Sequence, residues 1–354
     1  MNRGVLKIAV LYTELADYSI ACLRELAKTE ETKVLLIHWP INPEAPFSFD
    51  LSFCDKSICR DQVNDYQLIT KVSKFNPDKI LCSGWVDKGY LKVCRELKRS
   101  TITILAMDNH WRGSLKQLVA AFLAHYTIKP YFDHAFVPGT PQALFARKLG
   151  FNPSQITSGF YAADTLKFDQ KNQEGEKYTG VKKRKRFLFL GRYVSHKGIF
   201  DLWDAFSQFR VDHPNWELWC VGTGEEFENR VESEGIKHFG FVQPDDLFPI
   251  LEECDVYILP SHFEPWGVSV HEMAAAGFPM LLSDKIGSKE VFLKEGENGL
   301  VFKAGNSTSL LDAMCSMADK SEIQLKQMSA ISNDLGMSVT PKKWVDSLLS
   351  ITST

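Results

Sequence analysis

The chain has 354 residues, 44% hydrophobic and 24% charged, with a formal net charge of −3. That length accommodates two ordinary domains with separate cores, and the composition is ordinary for a globular protein. The charge gives no whole-protein case for nucleic-acid binding, and the longest apolar candidate, Leu118 to Ala124, is far too short to span a membrane.

Short β-like runs alternate with helical ones from the start: Lys7–Tyr12, a helix near Ala16–Lys28, Lys33–Trp39, then Lys79–Cys82, Thr101–Met107 and His134–Val137. Such alternation predicts a parallel sheet covered on both faces. The polar stretch from Asp169 to Lys185 interrupts the pattern and is the best linker, so a first domain is expected over 1–170 and a linker over 171–185. Alternation restarts at Arg186–Leu190 and continues through Glu217–Val221, His238–Val242, Val256–Leu259, Met280–Ser283 and Leu300–Phe302. Helices are expected at Lys197–Val211 and Pro244–Glu253, and a second doubly wound domain over 186–335. Thr340 to Ile351 reads as an amphipathic helix opened by Thr-Pro.

The eight cysteines form no Cys-x-x-Cys pair and no zinc-like group with His, so neither a metal site nor a disulfide scaffold is expected. Met1 to Val10 lacks the long apolar core of a secretory signal, which predicts a cytoplasmic protein. Residues 1–181 hold about 23 Lys and Arg against about 19 Asp and Glu, a mild excess that favours an anionic acceptor or a membrane surface. Peripheral contact with the inner membrane face is part of the expectation for that reason. The basic run Lys182 to Arg186 reads as a solvated linker leading into a strand.

The richest stretch is Phe263 to Gly277, where Glu264 precedes a helix and Glu272 lies inside it. The helix from about Val268 stops at Gly277, with Pro279 beyond. Its first amides, at Gly267, Val268 and Ser269, are expected to be unpaired donors at the positive end of the dipole, where an anion such as a diphosphate is stabilised. Earlier, Arg192 and Lys197 follow a buried strand, in the position where doubly wound folds bind ligands. A planar fork and a point charge together suit a diphosphate.

This spacing resembles the paired-Glu signature of retaining glycosyltransferases of the two-Rossmann-domain (GT-B) architecture, specifically family 4. Gly191-Arg192 through Lys197-Gly198 is similar to that family's diphosphate clamp, and Asn298-Gly299-Leu300-Val301-Phe302 to its late Asn-Gly strand. The resemblance implies an α/β protein of two doubly wound domains with an interdomain cleft, a terminal helix over 340–354 crossing back to the first domain, and a nucleoside-diphosphate sugar as substrate rather than a cofactor. It implies that Glu272 holds the donor ribose and that Glu264 lies near the donor sugar and diphosphate. Gly191, Gly222, Val242, Gln243, Trp266, Gly267 and Val268 join Arg192, Lys197 and the two Glu residues as donor-binding candidates. Trp266 is equally readable as core. Gly222 opens Gly222-Thr223-Gly224, a partial dinucleotide fingerprint whose third Gly is replaced by Phe227, better explained as a tight turn.

The first domain departs from the family pattern, with Leu11-Tyr12-Thr13-Glu14 in place of a Gly-Gly pair. Asp108 and His110, after a strand, are the acceptor-side candidates for catalysis, and Ser83-Gly84-Trp85 either lines the cleft or forms a turn. No Asp-x-Asp triplet occurs, so the protein's own cations are expected to support the leaving diphosphate without metal. The expected function is transfer of a sugar to a hydroxyl of a glycan, glycolipid or small-molecule acceptor in surface polysaccharide or glycoconjugate synthesis. Two other readings stay open: a nucleotide-sugar epimerase on the same scaffold, and a noncatalytic nucleotide-sugar-binding protein.

Overall fold

The structure is a computed structural model that describes residues 5–29, 31–43, 46–169 and 185–352. It divides into two compact units, Met1–Ala163 with Thr340–Thr354, and Asp164–Val339.

The first unit is built on a seven-stranded parallel sheet: β1 (Leu6–Tyr12), β2 (Thr32–His38), β3 (Lys56–Cys59), β4 (Lys79–Ser83), β5 (Ile102–Ala106), β6 (His134–Val137) and β7 (Ile156–Ser158). Its order is β3-β2-β1-β4-β5-β6-β7. Central strands are continuous apolar runs because both faces are covered: Ile8 to Leu11 and Val34 to Ile37 are buried. The two edges, β3 and β7, went unread in the sequence. Only Ile58 is buried in β3 and no residue is buried in β7, so neither carries an apolar run.

The C-terminal helix Pro341–Ser350 belongs to this first unit. Thr340 caps it by accepting from the Lys343 amide, Pro341 opens it, and the buried Trp344 donates its indole N–H to Phe160 O at 2.6 Å. At the far end the Lys79 ammonium donates to Leu348 O and Leu349 O at 3.1 and 2.8 Å, satisfying carbonyls the helix leaves open. Burial lowers the Lys79 pKa to about 8.

The second unit carries a six-stranded parallel sheet: β8 (Lys185–Leu190), β9 (Trp216–Val221), β10 (Ile236–His238), β11 (Val256–Leu259), β12 (Met280–Ser283) and β13 (Gly299–Phe302), in the order β10-β9-β8-β11-β12-β13. The strand expected at His238–Val242 lies earlier, at Ile236–His238. Gly240 has a φ of 70° and its carbonyl accepts from the Gly222 amide, so the chain turns there instead of continuing the ladder.

Both expected helices of this unit are interrupted at their starts. A single 3₁₀ turn at Ser195–Lys197 precedes the helix Ile199–Asp212, and Pro244–Asp246 precedes Phe248–Glu253. The first break is set by Gly198, at φ 69°, where an added Cβ would sit 2.2 Å from Pro260 O. The boundary expected at 170 also moves: the units divide between Ala163 and Asp164, and the short helix Thr165–Phe168 goes with the second. Phe168 packs on Phe248 with ring centroids 5.7 Å apart, and Asn333 donates to Asp169 at 2.9 Å. The expected linker 171–185 lies outside the described residues except Lys185, which opens β8.

Candidate active site

In the second sheet the strand order reverses between β8 and β11, the place where open α/β sheets leave a crevice beyond the carboxyl ends of the strands. Arg192 and Lys197 leave β8, and Glu264 leaves β11. The fold therefore brings together residues about seventy positions apart in the chain.

The Lys197 ammonium is ion-paired with the Glu264 carboxylate, and the two side chains are 16% and 13% exposed. A pair this sheltered is screened less than a surface pair and is held in one geometry. Arg192 differs: it is exposed, and among the described residues its guanidinium makes no hydrogen bond or ion pair. Its fork is open to a ligand. Burial, then Lys197, then Arg192 lower the pKa of the neighbouring His196, as expected where cations cluster. Glu264 and Glu225 oppose that shift.

The loop bearing Glu264 is held rigidly by Lys285 to Ser288. Glu264 N–H donates to Lys285 O at 3.1 Å, Gly287 N–H to Glu264 O at 3.0 Å, Ser288 N–H to Trp266 O at 2.9 Å and Ser288 Oγ to Gly267 O at 3.1 Å. Gly287 permits that approach, since an added Cβ would lie 2.0 Å from Pro265 O. The only sign of this brace in the sequence is the Gly-Ser pair ahead of the short helix Lys289–Phe292.

Gly267 caps the helix Val268–Ala275 at φ 90°, and a Cβ there would meet Glu264 Cγ at 3.0 Å. Val268, half-buried, begins the helix, and the Val270 amide already bonds Gly267 O at 3.1 Å. The Tyr257 hydroxyl, buried beneath, donates to Ser269 Oγ at 2.8 Å. Burial holds the Tyr257 phenol well above its usual pKa, with Glu272 and Glu264 adding to the effect and the Ser269 bond opposing it. Both carboxylates follow β11, Glu264 in the loop and Glu272 on the helix that the loop opens. Glu272 is half-buried on the helix.

Several donor-binding expectations change in character. Trp266 is 3% exposed and its indole N–H finds no partner among the described residues, so it is a core residue and not a sugar platform. Gly222 and Gly191 have their amides committed, to Gly240 O at 2.8 Å and Val221 O at 3.1 Å. Gly222, at φ 131°, matters by its size: a Cβ would sit 2.0 Å from Gly191 O, so the turn after β9 lies directly against the turn bearing Arg192. Val242 and Gln243 are half-buried in the loop after β10, and the Gln243 carbonyl accepts from the Asp246 amide at 3.0 Å. The Asn298-Gly299 pair is structural. Asn298 is fully buried, accepts from Lys294 N at 2.7 Å and donates to Phe292 O and Ser332 Oγ, and a Cβ on residue 299 would meet Met280 O at 2.3 Å.

In the first unit, the Thr13 amide after β1 donates to Oγ of Ser83, the last residue of β4, at 2.8 Å across that sheet's own reversal point. Ser83 therefore ties the strand ends together. Asp108 accepts from Tyr161 OH at 3.2 Å, and His110 is positioned by its carbonyl, which accepts from Gln117 Nε2 at 2.7 Å. Among the described residues no group of three or more His, Cys, Asp or Glu is arranged to hold a metal, and no helix is long and apolar enough to cross a membrane.

Two open parallel sheets, each reversing its order at a central pair of strands, are the Rossmann-like domains of the GT-B fold. Residues 170–332, the greater part of the second unit, match the family described as Glycosyl transferases group 1. A phosphatidyl-myo-inositol mannosyltransferase of Mycobacterium leprae is 32% identical over 152 residues, 41% of this chain and 40% of that protein. The chain spans less than two thirds of the length of the curated relatives it matches. Among solved structures, a glycosyltransferase from Rickettsia africae aligns with a TM-score of 0.75 at 13% identity, covering 98% of this chain and 97% of that one. Anabaena HepE in complex with UDP-glucose aligns with a TM-score of 0.72 at 16% identity, covering 98% and 100%.

Proposed function

We propose that the protein is a retaining glycosyltransferase of the family 4 type, moving a sugar from a nucleoside-diphosphate sugar to a hydroxyl of a glycan, glycolipid or small-molecule acceptor. The observation that carries this reading is the convergence of Arg192, the Lys197–Glu264 pair and the N-terminus of the helix Val268–Ala275 at the β8/β11 reversal point. The UDP-glucose in HepE and the lipid acceptor in the mannosyltransferase's name support the donor and acceptor classes. Surface polysaccharide or glycoconjugate synthesis fits them.

In this mechanism the diphosphate lies against Arg192, Lys197 and the amides of Gly267 to Ser269. Negative charge on it grows as the sugar bond breaks, so these donors stabilise the transition state more than the bound donor. Glu264 holds the Lys197 ammonium in place, and Gly267 leaves room for its carboxylate. The departing diphosphate helps take the acceptor proton on the face it leaves, so no carboxylate serves as a glycosidase-type base. Asp108 and His110 are assigned to the acceptor. Glu272 accepts the ribose hydroxyls in a charge-assisted, two-point contact.

Calorimetric titration of UDP-glucose and other nucleoside-diphosphate sugars into wild type and Glu272→Ala tests the reading. Wild type should bind at least one donor, and the variant should bind it more weakly while keeping its rate at saturation, because ribose contacts exist in ground and transition states alike. Failure of every donor to bind would end the proposal. A large fall in the saturated rate with unchanged affinity would remove Glu272 from the ribose.

Since the protein's own cations meet the diphosphate in this reading, a chelator should leave the transfer rate largely unchanged. Most of the activity lost in EDTA and restored by magnesium or manganese would refute metal independence.

A further inference from the structure

The helix Leu115–Thr127 in the first unit is packed inside out. Leu115, Leu118, Val119, Phe122, Leu123 and Tyr126 recur at the spacing of one helical face, which ordinarily turns to the core. Here they are exposed: Leu115 81%, Phe122 83% and Tyr126 74%. The helix rests on its unit through small or polar residues instead, with Ala124 its single buried residue, Gln117 bonded to the preceding loop and Ile128 buried just past the end. An outward stripe of large apolar side chains on one helix marks an interaction surface.

The surrounding charge identifies the partner. Between Asp108 and Asp164 the chain carries Arg112, Lys116, Lys129, Arg147 and Lys148 against Asp133 alone. Asp133 is already engaged, by Lys98 at 3.3 Å and by Thr103. The loop before the helix is tied to the next helix, Thr140–Lys148, through Trp111, whose ring lies 5.8 Å from Phe145 and 5.7 Å from the Lys148 ammonium. That second helix presents Leu144, Arg147 and Lys148 outward. A second copy of this chain would bring the same cations face to face, whereas an anionic lipid surface complements both the stripe and its rim. At ~20 Å the helix is too short to cross a hydrocarbon core of ~30 Å, so it would lie in the plane of the interface.

We propose that the exposed face of helix Leu115–Thr127, rimmed by Arg112, Lys116, Arg147 and Lys148, docks the protein on an anionic lipid bilayer. Unlike the donor site, this surface lies wholly in the first unit, so it stands or falls separately from the proposed transfer reaction. The test is sedimentation of the full chain with vesicles of phosphatidylcholine alone or mixed with phosphatidylglycerol. Binding should appear with the mixed vesicles, weaken as salt is raised, and fall on the order of a hundredfold in the double variant Leu118→Glu, Phe122→Glu, which removes two buried apolar side chains from the contact. Lys116→Glu with Arg147→Glu should abolish the preference for the anionic vesicles. All four side chains are exposed, so the variants should melt as wild type does. No vesicle binding by wild type, undiminished binding by the apolar variant, or a soluble dimer that the apolar variant dissociates would each overturn the proposal.

Discussion

Arg192→Ala is expected to slow transfer roughly a hundred- to thousandfold at saturating donor, the loss of about 3 kcal/mol typical of removing one donor aimed at developing charge. Arg192 gives the clean experiment, because its guanidinium has no partner among the described residues to leave stranded. Lys197→Ala should slow the reaction to a similar degree but also lower the stability of the second unit. It deprives the Glu264 carboxylate, 13% exposed, of its counter-ion, and a sheltered charge left alone is costly. Melting curves separate the two effects. Lys185→Ala is the control: it opens β8 at the end opposite the one that leads to Arg192, its ammonium lies 5.6 Å from the Trp216 ring, and the variant should keep its rate. Near-wild-type turnover in Arg192→Ala and Lys197→Ala together would remove the diphosphate clamp from the mechanism.

Acid should unfold the second unit through His271, one residue before Glu272. The imidazole is fully buried, stacks on Phe292 at 4.2 Å and bonds Gly336 O through Nε2 at 2.9 Å. Burial lowers its pKa to about 4, against a smaller raising effect of the Gly336 and Val339 backbones. The native state keeps it neutral, while the unfolded chain protonates it near its ordinary value of about 6.5. Its contribution is therefore complete above pH ~6.5 and is lost as the pH falls towards 4, by about 3 kcal/mol across that window. Urea unfolding at a series of pH values should show this slope in wild type. His271→Gln should be less stable at neutral pH and should lose much of the slope, leaving that of the carboxylates. Equal slopes in the two proteins would show that His271 does not set the acid limit.

The charged members of the candidate site were legible because each is a chemically distinctive residue in a segment that follows a strand, Arg192 and Lys197 after β8 and Glu264 and Glu272 after β11. Glu264, Glu272, Arg192 and Lys197 could be named from spacing. The scaffolding was not legible. Nothing local distinguishes Gly287 or Ser288 from turn residues, yet they brace the Glu264 loop; Gly222 looked like part of a ligand turn, yet its amide is committed and its missing side chain is what the fold uses. Trp266 could not be assigned, since an aromatic beside a glycine suits a core and a sugar face equally, and its burial decides for the core.

The sequence by itself determined the alternation of strands and helices, hence two parallel sheets, because buried parallel strands need continuous apolar runs and crossover connections. It could not show the edge strands β3 and β7, which carry no apolar run and are held by backbone bonds to the strand just before them. It also could not show which way an apolar face turns. Periodicity states that Leu115, Leu118, Phe122 and Tyr126 share a side of one helix, and the same pattern buries a core helix. Only the tertiary structure, by seating Ala124 inward, decided that this side meets the outside, since the choice depends on what the rest of the unit offers to pack against.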